Sequence, residues 1–135
     1  MIRYKSIKKT ETGKKYELLE TKVWPLGSEF VSYNIVTEYF SLIKGTLTAN
    51  LGYRWDGPSG AIDSADFMEG SCKHDILTDM IKAGLLPMKL WGAAANEMRI
   101  TNKREGMSWP RRQWTWAGVR IWGRIKKSLP AFFAA

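Results

Sequence analysis

Gly52-Tyr53-Arg54-Trp55-Asp56-Gly57-Pro58-Ser59-Gly60 divides this chain of 135 residues into two parts with different periodicity. Its density of glycine and proline reads as a turn between one kind of structure and another. From Tyr16 to Tyr53, short runs rich in β-branched and aromatic residues read as strands: Tyr16-Glu17-Leu18-Leu19, Phe30-Val31-Ser32-Tyr33-Asn34-Ile35-Val36 and Thr46-Leu47-Thr48-Ala49-Asn50-Leu51. Turns at Pro25, Gly27 and Gly45 separate them, which predicts a small antiparallel sheet. Residues 1–15 are polar and lysine-rich, ending in Thr10-Glu11-Thr12-Gly13-Lys14-Lys15, and read as a basic flexible arm.

Beyond the turn the period becomes helical. Asp63 or Ser64 is suited to cap a first helix, whose apolar stripe Leu77, Met80, Ile81 and Leu85 runs out at Gly84. His74 sits one turn before Leu77, at the edge of that stripe. Pro87 is suited to the first position of a second helix, which Leu90, Trp91, Ala94, Ala95 and Met98 would pack against the first. A third helix is predicted from Pro110, carrying Trp114, Trp116, Val119, Ile121, Trp122 and Ile125 interleaved with Arg112, Arg120, Arg124 and Lys127. The last three cations share one face. Such a helix either lies on an anionic membrane, covers a groove for a polyanion, or packs its indoles while its arginines are solvated. The expected fold is α+β, with a small N-terminal antiparallel sheet followed by about three packed helices. It forms a single domain over 16–129, ahead of a short apolar tail over 130–135 that packs on a neighbouring subunit or frays.

Composition bounds the function. Hydrophobic residues make up 44% and charged residues 25%, and no apolar run approaches a membrane span. Met1-Ile2-Arg3-Tyr4-Lys5 lacks the apolar segment of a secretory signal, so synthesis in a cytoplasm is expected. Cys72 is the single cysteine, which excludes an internal disulfide and a zinc cluster. The net charge of +8 is uneven: residues 1–22 carry seven Lys/Arg against three Glu, and residues 104–127 carry seven against one. Two basic ends favour an anionic partner, whether an acidic protein surface, anionic lipid or, less favoured, nucleic acid. No P-loop, dinucleotide fingerprint or nucleophile elbow is present.

The sole histidine lies in Ser71-Cys72-Lys73-His74-Asp75-Ile76-Leu77. An unperturbed imidazole titrates near neutral pH, so His74 is the acid–base candidate, and Asp75 is placed to hold a cation or a partner.

Leu51-Gly52-Tyr53-Arg54-Trp55-Asp56-Gly57-Pro58-Ser59-Gly60, then His74-Asp75, Ala95-Asn96 and Gly118-Val119-Arg120-Ile121-Trp122-Gly123, in that order, resemble the family called domain of unknown function 1353. That family occurs in tailed phages and prophages. The resemblance covers roughly the last two thirds of the chain and implies a phage origin, made in the host cytoplasm, with incorporation in the virion an open reading. A more distant resemblance is to the helices of phospholipase A2 of the parvovirus capsid type. It implies His74 as the base and Asn96, 22 residues on, as its supporting position. It also implies Ca²⁺ held by Asp75 with the Asp56, Gly57 and Gly60 loop.

The chain departs from that pattern. Asn96 replaces a carboxylate, so it orients an imidazole without stabilising the imidazolium. Glu97 points about 100° round the helix. Thr78 stands where a bracing tyrosine is expected. Weak hydrolysis or a degenerate site follows. On a structural reading, His74 and Asn96 form a buried hydrogen-bonded pair between helices, with Asp56 or Asp75 capping a turn. Three functions stand in order: a phage virion or accessory protein acting in assembly or interaction, a Ca²⁺-dependent lipid esterase aiding membrane penetration, and a small effector binding a host protein or nucleic acid. An oligomer is compatible with the first.

Overall fold

Among the described residues, seven short strands build two antiparallel sheets rather than one, and three helices follow, an α+β arrangement. The computed structural model describes residues 2–7, 14, 16–56 and 65–128, with side chains described as far as residue 120. The strands are β1 (Tyr4–Ser6), β2 (Tyr16–Leu18), β3 (Lys22–Pro25), β4 (Asn34–Val36), β5 (Phe40–Ile43), β6 (Thr46–Ala49) and β7 (Arg54–Trp55). One sheet has the order β1-β2-β7 and the other β3-β6-β5-β4.

Several expectations are corrected. Tyr4–Ser6 is a strand and Ile2 is buried, where an arm was expected. The cause is not local. Tyr4 pairs opposite Leu18, and its ring meets Tyr16 and Trp55 edge-on at 5.6 and 6.1 Å. The rest of that arm, residues 1, 8–13 and 15, lies outside the described residues. In the predicted strand from Phe30, a 3-10 turn over Ser28–Phe30 buries the phenyl ring, and strand begins only at Asn34. Phe40–Ile43 and Lys22–Pro25 are strands that their mixed composition concealed. Arg54–Trp55 pairs with β2 inside the glycine-rich turn.

Register follows from the period-two alternation of strands. Trp24, Leu47, Leu42 and Ile35 stand opposite one another across the four strands, and all four are buried. Lys44 and Gly45, both at positive φ (49° and 77°), make the two-residue turn that joins β5 to β6. That turn type suits the twist of a hairpin, and glycine takes its second position without steric cost.

The helices are α1 (Ala65–Lys82), α2 (Trp91–Arg104), entered through a 3-10 turn at Met88–Leu90, and α3 (Trp109–Ser128). Asp63 and Ser64 lie outside the described residues, as does the tail. Both α1 and α2 end in the same way. Gly84 and Gly106 take positive φ, and the next residue's N–H returns to the carbonyl five residues back, Leu85 to Met80 and Met107 to Asn102. The reversal at Gly84 leaves Leu85 43% exposed and buries Leu86 in its place. Pro87 precedes the 3-10 turn instead of opening α2. Among the described residues, no helix is long and apolar enough to cross a membrane.

Candidate functional site

His74 lies on α1 with 8% of its surface exposed, its ring edge-on to Trp91 at 6.3 Å between centroids. Its Nε2 has no hydrogen-bond partner among the described residues. Burial, helped by the Lys82 charge, lowers its pKa to about 4, so the ring is neutral at pH 7. Asn96 is elsewhere. It is exposed, and its Oδ1 accepts a hydrogen bond from Trp116 Nε1 at 2.9 Å. The His74–Asn96 pairing therefore fails both as catalytic machinery and as a buried structural pair. The reason is helical geometry: α2 turns Ala94, Ala95, Glu97 and Met98 inward, and Asn96 is about 100° away from either neighbour.

Asp56 and Asp75 do meet. The Asp56 amide donates to Asp75 Oδ2 at 3.3 Å, which ties the end of β7 to α1. One turn further, the Tyr53 hydroxyl donates to Asp79 Oδ2 at 3.0 Å, and Lys14 Nζ stands 4.0 Å from Asp56 Oδ2. Burial, then the neighbouring Asp79 charge, pushes the Asp75 carboxyl up to about 7. Burial also raises the Tyr53 hydroxyl. Gly57 and Gly60, the other expected ligands, lie outside the described residues. Ca²⁺ takes about 6–8 oxygen ligands. Among the described residues, no group of three or more carboxylate, histidine or cysteine side chains is arranged to hold a metal ion. Asp75 has one of its two oxygens engaged by that amide.

The sequence reading missed a polar seam sealed between α1 and α2. Lys73 Nζ lies 3.4 Å from Glu97 Oε1 and donates to the Glu97 carbonyl at 3.3 Å and to Thr101 Oγ1 at 3.1 Å. Glu97 Oε2 accepts the Gly27 amide at 3.3 Å. One turn back on α1, Glu69 receives Trp24 Nε1 at 2.9 Å, Lys22 Nζ at 3.4 Å and the guanidinium of Arg104. Gly70 makes the close approach feasible, since a Cβ there would overlap the Asn102 amide and press on the Met98 carbonyl. A signal for the seam existed. Extending the Leu77–Ile81 stripe backward in steps of four lands on Lys73 and Glu69, so these charges share the face that packs.

On the opposite side of α2, the guanidinium groups of Arg99 and Arg120 lie over the Trp116 ring, 4.7 and 5.2 Å from its centroid. Arg112 is a corrected contact residue. It donates to the Met107 carbonyl at 2.7 Å and so fastens the α2–α3 turn. The side chains of Trp122, Arg124 and Lys127 lie outside those described. Thr115 is buried and Val119 packs on Phe67, Met98 and Met107, which fixes the inward face of α3. Trp109 and Trp114, by contrast, are 63% and 80% exposed. Comparison with family models, with curated proteins and with solved structures finds no match to this chain.

Proposed function

We propose that this chain is a binding protein of the phage accessory kind that its motifs resemble, acting in assembly or interaction through the cationic and aromatic surface of α2 and α3. The observation that carries the reading is the exposure of Trp109 and Trp114 on a helix that also holds Trp116 stacked with Arg99 and Arg120. Large exposed apolar groups rimmed by charge mark contact surfaces, and Trp and Arg dominate binding energy where they occur. The His-Asp pair is degenerate on this reading, because His74 is enclosed and its expected support is turned away.

The test joins two assays. Hydrolysis of a short-chain phosphatidylcholine in the presence of calcium is expected to be the same for the wild-type chain and for His74→Ala. Retention on an immobilised polyanion is expected to fall for Arg99→Glu and to be unchanged for His74→Ala. Calcium-dependent hydrolysis lost in His74→Ala would overturn the reading. One observation supports the alternative lipid esterase, the contact of Asp56 with Asp75. A rise in Tm with millimolar calcium that vanishes in Asp75→Asn is what that alternative requires.

A further inference from the structure

The outward side of α3 has a composition that neither the fold nor the buried seam uses. Over its 20 residues α3 contains four tryptophans, six Lys/Arg and no Asp or Glu. Thr115 and Val119 fix which side faces the core. With 100° per residue, Pro110, Trp114, Ala117 and Ile121 then fall on the outer side, and Ile125 continues the same line. By the same period the position of Arg124 falls directly beside Ala117, so a cation stands at the edge of this apolar line. Trp114 stands on it 80% exposed, and a Cβ added at the neighbouring Gly118 would meet nothing within 4 Å. Arg120 turns its guanidinium back over Trp116 toward α2, while the positions of Arg124 and Lys127 fall on the same side of the helix by its period.

An apolar line with an indole at its centre, flanked by cations and free of acids, matches the requirements of a helix that lies in a membrane interface. There the apolar face enters the boundary between headgroups and acyl chains, the indole sits at headgroup level, and Lys/Arg pair with anionic lipid. Charge complementarity favours anionic over neutral lipid for a chain of +8, with about 1 kcal/mol from each cation near the surface. We propose that α3 docks this protein on an anionic lipid surface, with Trp114 entering the interface and the cations of the C-terminal half of the helix, Arg124 and Lys127, supplying positive charge for lipid phosphates. The inference rests on α3 being the binding surface and names the partner of that surface.

Vesicle flotation tests it, using phosphatidylcholine vesicles with and without phosphatidylglycerol at low salt. The wild-type chain is expected to float with the anionic vesicles and to stay behind with the neutral ones. Trp114→Ser is expected to weaken that binding by about tenfold, and Arg124→Glu with Lys127→Glu to weaken it further. Val36→Ser, at a position 74% exposed on β4, is expected to bind as wild type. The proposal falls if the wild-type chain does not float with anionic vesicles, if Trp114→Ser floats as wild type does, or if Val36→Ser loses as much as Trp114→Ser. If flotation fails while Arg99-dependent retention on a polyanion persists, the membrane inference alone is lost and the binding-protein reading stands.

Discussion

The two faces of α2 treat polar and apolar side chains in opposite ways. Toward α1 it buries Glu97 and Thr101 around the ammonium of Lys73, and Arg104 reaches Glu69. Toward α3 it meets an element whose outer indoles are left in solvent. The charges buried here are those that find an opposite charge. A charge inside is tolerable when every oxygen and proton finds a partner, whereas an indole outside has no such compensation within the chain. The sealed interface thus specifies how α1 and α2 register, and the outer face of α3, beyond its own packing on α2, is available to bind.

The largest expected effect tests the sealed interface. Glu97→Ala leaves the Lys73 ammonium buried without its carboxylate and the Gly27 amide without its acceptor. A loss of about 3–5 kcal/mol in urea unfolding is expected, with Lys73→Met in the same chain recovering part of it. A loss under about 1 kcal/mol would mean that the seam is wet and that the contrast between the two faces is false. Next is Gly70→Ala, which pushes a methyl group against the Asn102 amide and the Met98 carbonyl. Overpacking of this kind costs about 1–3 kcal/mol, and adding Asn102→Ala should return much of it.

A third prediction uses pH at the Asp75 end of α1. The folded chain holds the Asp75 proton up to about pH 7, while its ordinary value is 3.8. The folded state therefore binds the extra proton in that window, and stability declines as pH rises through it. His74 works in the opposite sense. Its ordinary value is 6.5 and its folded value about 4, so its contribution declines as pH falls through that interval. The two slopes oppose each other between pH 4 and 6.5, leaving wild-type stability nearly flat there. Asp75→Asn should expose the His74 slope alone and gain about 2 kcal/mol at pH 8, roughly half the full linkage because the carboxyl is partly exposed. Equal stabilities of variant and wild type at pH 8 would show that Asp75 ionises there at no cost. The smallest effect belongs to the open face: Trp114→Ser should change stability by under about 0.5 kcal/mol. A larger loss by thermal unfolding would mean that the indole is packed and the face is not free.

Much of the fold was legible locally. The change of period at the glycine-rich stretch, the hairpin turn at Gly45 and the helix stop at Gly84 each depend on neighbours in sequence. Strand Tyr4–Ser6 was not legible, because it is held by Leu18 and by the rings of Tyr16 and Trp55. At the candidate site, Asp56 meets Asp75 through its backbone amide, a contact the motif spacing did not specify, while His74 and Asn96 do not meet. Motif spacing says that two residues sit on two helices. Only the rotation of each helix says whether they face each other, and Asn96 is one residue out of phase with Glu97.

The amino-acid sequence by itself determined the order of strands before helices, the ends of α1 and α2, and the basic, tryptophan-rich, acid-free composition of α3. Those properties arise from backbone preference and side-chain chemistry over a few adjacent residues. The tertiary structure decided which charges are sealed and which indoles are open, because burial depends on what another element brings to the same face. Lys73 becomes a core residue only because α2 presents Glu97 and Thr101 to it, and Trp114 stays outside because the inward face of α3 is already filled by Thr115 and Val119.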